Sequence, residues 1–431
     1  VDIRERIMIT DLLTSDGSYP SQGRVVGAVG IHTQTGQFYV FKAKAVVVTS
    51  GLITGKLHFS YGDNLSGDGQ AMAYRAGAEL AGLEFNFGSQ FAGVKDGRIY
   101  VNSLIQFQTQ GAHLINGLGE RFMERYMPER KERRSTMGLI AQAMVKEMME
   151  GRGPIYFDMR HFTPEHYQRV RRIIPITMAA MDGAGIDIRK ERVLCRPMVT
   201  WIGGAGCGGI KTNTDGETNI PGLLAAGISA QYPGCAESLS GLKISACSVF
   251  GYRAGQHAAR IAEQVRGLEI DWSQVEQLRG VLFAPGDRKP GLEPMDIYRR
   301  LAKKLVNPEY SIIKSEATIK DMLAEAAKTG EEDLPRVYAK DVHELVKAAE
   351  ARNWVLLIEP VYSSALERKE SRLNHYRRDY PYRDDIDWLK WVIVRREGGK
   401  VKLRHEPLPV EEFPITLPKR EKIPAAIQLS P

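Results

Sequence analysis

The sequence predicts an α/β fold: strand, loop and helix patterns with doubly wound geometry, a mixed irregular stretch between them, and helices after them. Three observations predict it. The apolar run Val46-Val47-Val48 ends in Thr49-Ser50-Gly51, a buried strand whose small residues admit a close backbone approach at its carboxyl end. A glycine-rich loop over 203–209 precedes a proline-bounded strand, Pro221 to Gly227, and a long helical pattern over 241–264. In that order of strand, loop and helix, the helix start can face an anionic group. After about residue 268 helical periodicity takes over and β-branched runs cease.

The elements follow in chain order. Residues 24–31 and 37–49 are β-rich runs joined by His32-Thr33-Gln34-Thr35-Gly36, a hairpin signal. Residues 66–80 read as a helix with Gly67-Asp68-Gly69 in its first turn, alanine and methionine at helical spacing, and glycines that permit close packing. The pattern over 82–200 is mixed. Its charged run from Arg121 to Arg134 reads as a solvated helix face. The helix over 241–264 carries small residues on one face, suited to packing against a sheet or a cofactor. Segments 295–306, 312–328 and 339–352 read as a helical bundle. The last 60 residues, rich in arginine, tyrosine and tryptophan, include a strand at Trp391-Val392-Ile393-Val394.

Composition excludes several classes. The chain has 431 residues, 43% hydrophobic and 26% charged, which is globular rather than disordered. No apolar run approaches the ~18 residues of a bilayer span, and no secretory pattern opens the chain. The excess of 59 basic over 52 acidic residues is too thinly spread for a nucleic-acid stripe and favours anionic partners weakly. Cys195, Cys207, Cys235 and Cys247 show no paired spacing, which predicts reduced thiols in a cytoplasmic setting and no metal centre.

Three stretches, in this order and spacing, resemble one family. The first is Ser66-Gly67-Asp68-Gly69 with Ala71-Met72, Arg75-Ala76-Gly77 and Leu83-Glu84-Phe85. The second comprises Gly208-Gly209-Ile210, Thr212-Asn213, Ile220-Pro221-Gly222-Leu223, Ala225-Ala226-Gly227, Val249-Phe250-Gly251 and Arg253-Ala254-Gly255. The third runs through Glu370-Ser371-Arg372, His375, Asp379-Tyr380-Pro381, Arg383-Asp384-Asp385 and Trp388. Together they resemble the flavoprotein subunits of succinate dehydrogenase and fumarate reductase, a family that includes L-aspartate oxidase and adenylylsulfate reductase.

The resemblance implies an FAD-dependent oxidoreductase and a domain order. Residues 1–80 would be the later part of a Rossmann-like FAD-binding segment, 81–200 an inserted α+β capping domain and 201–268 the returning FAD-binding segment. A helical domain over 269–365 and a carboxyl-terminal α+β tail over 366–431 would complete it. The family's first strand and glycine-rich turn would precede Val1, so another chain, or an amino-terminal segment not in this sequence, is expected to complete the FAD site. An iron–sulfur electron-transfer subunit is a further expected partner, and any membrane attachment would be made through partners.

Site residues carry over one by one. Thr49, Ser50 and Gly51 match the strand end beside the adenosine, and Asp68 matches an aspartate that contacts the cofactor. Gly227 matches the glycine of an Ala-Ala-Gly-Glu motif whose glutamate is here Ile228. The family's Ser-Leu pair at the flavin falls on Lys243-Ile244, with Ser238-Leu239 and Ser245 left as alternatives by a one-residue insertion. A lysine at 243 would stabilise a negatively charged reduced flavin, or would simply cap an exposed helix turn. The groups that clamp dicarboxylates are replaced by Ser89, a glycine near Gly204 and a residue near Ser238, and the proton-delivering arginine by Met137. Arg134 and Lys243 are the cationic catalytic candidates. Ser89, Phe91, Trp201 and Met137 would line a less charged pocket or merely fill core volume. A substrate other than succinate or fumarate follows from the first reading. An electron-transferring or non-catalytic subunit is the alternative.

Overall fold

Three antiparallel strands form the first layer of the computed structural model: β1 (Ile7–Thr14), β2 (Val25–His32) and β3 (Phe38–Lys42). The structure describes residues 1–53, 65–85, 90–101, 105–133, 135–198, 208–231, 242–414, 416, 418–425 and 427. The expected single run over 37–49 is in fact two strands. β3 pairs with β2 antiparallel, whereas β4 (Val46–Val48) leaves that sheet and pairs with β12 (Leu223–Ala225) in parallel. Ala43-Lys44-Ala45 makes the change of direction.

Helix α1 (Asp68–Ala76) follows and is buried along most of its length, which its Gly, Ala and Met content allows. Strand β5 (Leu80–Ala81) then pairs antiparallel with β11 (Gly209–Ile210) on one side and with a carboxyl-terminal strand on the other. The insert is built on a five-stranded sheet of order β7-β6-β10-β9-β8. Its strands are β6 (Gln90–Lys95), β7 (Arg98–Val101), β8 (His113–Ile115), β9 (Ile155–Asp158) and β10 (Val193–Met198).

Helices α2 (Ile105–Thr109), α3 (Met123–Tyr126), α4 (Met137–Met149), α5 (Pro164–Ile173) and α6 (Pro175–Gly183) accompany that sheet. They share a core of Phe91, Phe107, Ile140, Met144, Phe157 and Met181. Among its described residues the charged run is helical only over Met123–Tyr126, so it is not one continuous helix face. Glu132 within it is fully buried and receives Arg121 at 2.8 Å.

The helical segment contains α7 (Leu242–Gln264), α8 (Trp272–Phe283), α9 (Pro294–Leu305), α10 (Pro308–Ser311), α11 (Glu316–Lys328) and α12 (Val342–Glu367). The last is nearly twice as long as expected, and it is the spine of the main core. Tyr298 of α9 stacks on Trp354 of α12 at 4.9 Å, and Leu357, Ile358 and Val361 continue the contact with Ala73 and Leu83 in the same cluster. The tail supplies β13 (Tyr382–Asp384), β14 (Lys390–Glu397), β15 (Lys400–Pro407) and β16 (Lys422–Pro424). β14 and β15 form a hairpin across Gly398-Gly399, both at positive φ, and β14 joins β5. Among the described residues no helix is long and apolar enough to cross a membrane.

Candidate cofactor cleft

β4 and β12 run in the same direction, with Val46 opposite Leu223 and Val48 opposite Ala225. Their carboxyl ends therefore open side by side, at Thr49-Ser50-Gly51 and Ala226-Gly227. This is where ligands sit in open parallel sheets, since loops diverge there and leave a crevice. The Ala226 amide donates to Val48 O at 3.1 Å, the last bond of the ladder.

Beyond it side chains take over. Ser229 Oγ accepts the Gly51 amide at 2.9 Å, and Gln70 Nε2 of α1 donates to Gly51 O at 2.8 Å. Ser229 and Gln70 are both buried, while Thr49 and Ser50 stay exposed at the mouth. Gly51 at φ +83° and Gly227 at φ +64° take backbone conformations that side chains oppose.

The helix α1 reaches this strand end through Gly69. A Cβ at that position would overlap Ser50 Oγ and Val48 Cγ1. The sequence expectation that glycine permits close packing here is met. Asp68 sits beside it, accepting from Ser66 Oγ at 2.9 Å and from Asn353 Nδ2 of α12 at 2.6 Å. Asn353 Oδ1 in turn accepts from Arg75 Nη1 at 2.5 Å. Arg75 and Arg352 share Asp11, at 2.9 and 2.8 Å. Asp68 thus belongs to a chain of bonds that ties α1 to the helical segment.

On the other side of the crevice stands α7. Gly227 lies against it, since a Cβ there would be 3.3 Å from Cys247 Sγ. Lys243 is half-buried in its first turn; Ile244 and Ser245 are exposed, Ile244 by 75%. Only Ala246 and Ala254 of this 23-residue helix are buried, and Val249 and Tyr252 are open as well.

A groove of about 510 Å³ runs along β4, lined by Ile9, Leu12, Phe41, Met72 and the residues from Val46 to Ser50. Among the described residues β4 has no strand partner on this edge.

The structure therefore brings together Thr49, Ser50, Gly51, Asp68 and Gly227, and sets the first turn of α7, with Lys243, Ile244 and Ser245, near the Gly227 loop. Arg134, Ser238 and Leu239 lie outside the described residues, as do Ser89, Trp201 and Gly204. Phe91 is buried and packs on Phe157 at 5.5 Å in the insert's core. Met137 opens α4, directly after Thr136, whose hydroxyl caps the helix by accepting the Leu139 amide at 3.3 Å. Cys195 and Cys247 are free thiols, the first buried and the second exposed. Among the described residues no three His, Cys, Asp or Glu side chains could hold a metal.

The third motif is a buried charge cluster. Arg368, 1% exposed, donates to Glu84 Oε1 at 2.9 Å, to Glu370 Oε1 at 2.8 Å and to the carbonyls of Trp388 and Lys390. Its guanidinium also lies over the rings of Phe85 and Trp388, at 4.9 and 5.3 Å. Burial raises the Glu84 carboxyl above its ordinary value against the pull of Arg368. The cluster joins the turn after β5 to the tail.

Comparison with known proteins agrees with this geometry. A model for the FAD binding domain matches residues 1–241, and one for the fumarate reductase flavoprotein C-terminus matches residues 299–422. An uncharacterized FAD-dependent oxidoreductase of Methanocaldococcus jannaschii is 31% identical over 402 residues, covering 92% of this chain and 70% of the relative. The chain belongs to the succinate dehydrogenase and fumarate reductase flavoprotein family.

A fumarate reductase (CoM/CoB) subunit of Methanothermobacter marburgensis is 28% identical, over 92% of this chain and 71% of its own. Sdh1 of Mycobacterium smegmatis superimposes with a TM-score of 0.78 at 27% identity, over 95% of this chain and 68% of that one. A mutant of the E. coli quinol fumarate reductase protein FrdA gives a TM-score of 0.80 at 24% identity, over 95% and 72% of the two chains, and so speaks for the fold. The chain is accordingly a flavin-dependent oxidoreductase with FAD as its cofactor. The crevice suits that group: two strand ends carry glycine at positive φ, with exposed hydroxyls at Thr49 and Ser50 between them.

Proposed function

We propose that this flavoprotein oxidises or reduces a substrate other than succinate or fumarate, as one part of a larger redox assembly. The observation that carries the reading is Met137 at the start of α4, where the resemblance places the proton-delivering arginine. A thioether carries no exchangeable proton and no charge, so it can neither deliver the proton nor pair with a carboxylate. Ser89, Gly204 and Ser238 at the clamp positions point the same way, each without a cation.

Bound FAD supplies the hydride acceptor or donor. The chain's own part is to hold the adenosine side against Thr49, Ser50 and Gly51, and to set Lys243 or Ser245 of α7 near the ring. Arg134 is the cation proposed to move the proton, being three residues ahead of Met137.

The open edge of β4 and the exposed apolar residues of α7 support the second half of the proposal. A two-stranded parallel sheet is rarely stable by itself, and parallel sheets are covered on both faces. A further polypeptide segment adding a parallel strand to β4 and covering Ile244, Val249 and Tyr252 would complete the cofactor site. An iron–sulfur subunit would then take the electrons. Ile228, in place of the family's glutamate, favours the second reading, an electron-transferring or non-catalytic subunit.

The test is turnover by the FAD-loaded assembly with reduced viologen and fumarate, and with succinate and an artificial acceptor. No turnover is expected with either dicarboxylate, and fumarate reduction at ordinary enzymatic rates would overturn the proposal. Turnover of any other organic acid or thioester separates the enzyme from the non-catalytic reading.

A further inference from the structure

A second cavity, of about 290 Å³, lies where the end of α8 and the turn after it meet α12 and the segment between α11 and α12. Backbone bonds fix its frame. The Ala339 amide donates to Pro285 O at 2.8 Å, and the Tyr338 amide to Leu292 O at 3.0 Å. Helix α11 does not end cleanly beside it. Thr329–Asp333 continue the helix as one π turn, and Leu334–Arg336 then tighten to a 3₁₀ turn. Such widened turns are rare and concentrate at functional sites. Gly330 and Leu334 bring this segment into the cavity wall, opposite Ala348 and Ala349 of α12.

Two guanidinium groups interrupt the apolar lining, and each has nitrogens to spare. Arg288 Nη1 donates to Leu334 O at 3.1 Å and to Val337 O at 2.7 Å. These carbonyls hold the side chain without neutralising it. Its Nε and Nη2 have no acceptor among the described residues and keep accessible surface. Arg352 gives Nη2 to Asp11 at 2.8 Å. Its Nε is buried, whereas Nη1 is without an acceptor among the described residues and accessible. The spare donors are ones that a ligand can reach.

No acidic side chain lines the cavity. The carboxylates on the surrounding elements are engaged elsewhere: Asp11 is shared with Arg75, Asp333 takes Arg300, and Glu344 is 3.6 Å from Lys347. Glu350 stands by Tyr298 of α9, whose phenol is raised by burial and then by Glu350. Glu276, Asp287, Glu331 and Glu332 are exposed, as are the cations Arg279, Lys289 and Arg336, and water screens them all. Arg288 is left half-buried with no counter-ion among the described residues, and Arg352 with a carboxylate that it shares. An apolar pocket with a few convergent donors is the ordinary form of a small-molecule site, and the planar guanidinium fork suits a carboxylate.

We propose that this cavity binds a small monocarboxylic acid with a compact apolar body. Arg288 and Nη1 of Arg352 take the carboxylate, and the body lies against Leu282, Pro285 and Ala349. The inference does not rest on the flavin chemistry, since no residue of this cavity belongs to the cofactor cleft.

Benzoate, benzamide and acetate are the probes, titrated calorimetrically into the 431-residue chain. Benzoate is expected to saturate. Benzamide lacks the charge and acetate the ring, and each is expected to bind at least about tenfold more weakly, a difference of roughly 1.4 kcal/mol. Val281 lines the rim and is 44% exposed, so a polar side chain is tolerated there. Val281→Glu supplies the arginines with a carboxylate from the chain itself and should abolish benzoate binding. Val281→Gln, of the same shape without the charge, should keep it. Parent affinity for benzoate in Val281→Glu would place the binding elsewhere and overturn the proposal. Equal affinity for benzoate and either of the other probes, or no saturation by benzoate, would overturn it as well.

Discussion

Replacing Arg368 by methionine removes a buried guanidinium while keeping most of the apolar stem. Two carboxylates, Glu84 and Glu370, both fully buried, lose their shared cation. Glu370 keeps Arg372 at 2.8 Å, so the larger injury falls on Glu84. Stranding a buried charge costs about 3–5 kcal/mol, and the carbonyls of Trp388 and Lys390 lose charge-assisted donors as well. The expected loss at neutral pH is about 4–6 kcal/mol, read as the midpoint shift in urea unfolding followed by tryptophan fluorescence.

The pH dependence fixes the cause. The Glu84 carboxyl is already raised by burial, and losing Arg368 raises it further. A folded state that binds the extra proton is stabilised as pH falls, so the penalty is greatest at alkaline pH. As pH falls it should shrink by up to about 1.4 kcal/mol per pH unit, until the raised Glu84 carboxyl of the intact protein is protonated as well. Glu84→Gln in the Arg368→Met background should flatten that slope and recover about 2 kcal/mol. A loss under about 1 kcal/mol, or one that does not change between pH 8 and pH 5.5, would refute the argument.

Two further expectations concern the cleft. Gly69→Ala adds a Cβ where Ser50 and Val48 stand, a clash of about 1–3 kcal/mol that the helix propensity gain of roughly 1 kcal/mol offsets in part. FAD affinity measured by flavin fluorescence quenching should fall more than global stability does, because the displaced atoms belong to the Thr49–Gly51 turn; equal losses would argue against that turn. Gly251→Ala, with nothing within 4 Å of the new methyl, should stabilise this chain by about 1 kcal/mol in thermal unfolding. The same change should hinder completion of the cofactor site if α7 is covered there, and a destabilised chain would contradict the open face.

Where the sequence was legible, local chemistry decided the outcome. Val46 to Gly51 reads as a strand closing on small residues, and α1, α7, α9 and α11 lie where their periodicity places them. The merged run over 37–49 failed because Ala43-Lys44-Ala45 contains neither glycine nor proline. The break exists only because β4 finds a partner almost 180 residues away, a tertiary preference that no local pattern carries. The β15 strand was missed although Gly398-Gly399 between alternating runs is a hairpin signal. Ser229 carries no motif, for its role is to meet the Gly51 amide from 178 residues away, and Gln70, though inside the first stretch, acts through a contact to Gly51 O that spacing alone does not show. The Arg121–Arg134 run misled on helicity: Glu124, Arg125, Glu129, Arg130 and Arg133 are solvated as charge suggests, but the described helix there spans only Met123–Tyr126, and Glu132 is paired and buried.

The path from the carboxyl-terminal helices to the cleft can be followed bond by bond. Arg352 and Asn353 of α12 hold Asp11 and Asp68, and Arg75 of α1 joins the two. With α1 fixed in this way, Gly69 can press on Ser50 and Val48, and Gln70 can hold Gly51. The turn proposed to meet the adenosine is therefore set by a helix nearly 300 residues downstream. A two-stranded parallel sheet has too few ladder bonds to hold its own strand ends, and here side chains from α1 and the Gly227 loop do so instead. That arrangement lets the turn keep its shape although β4 has no strand partner but β12 among the described residues.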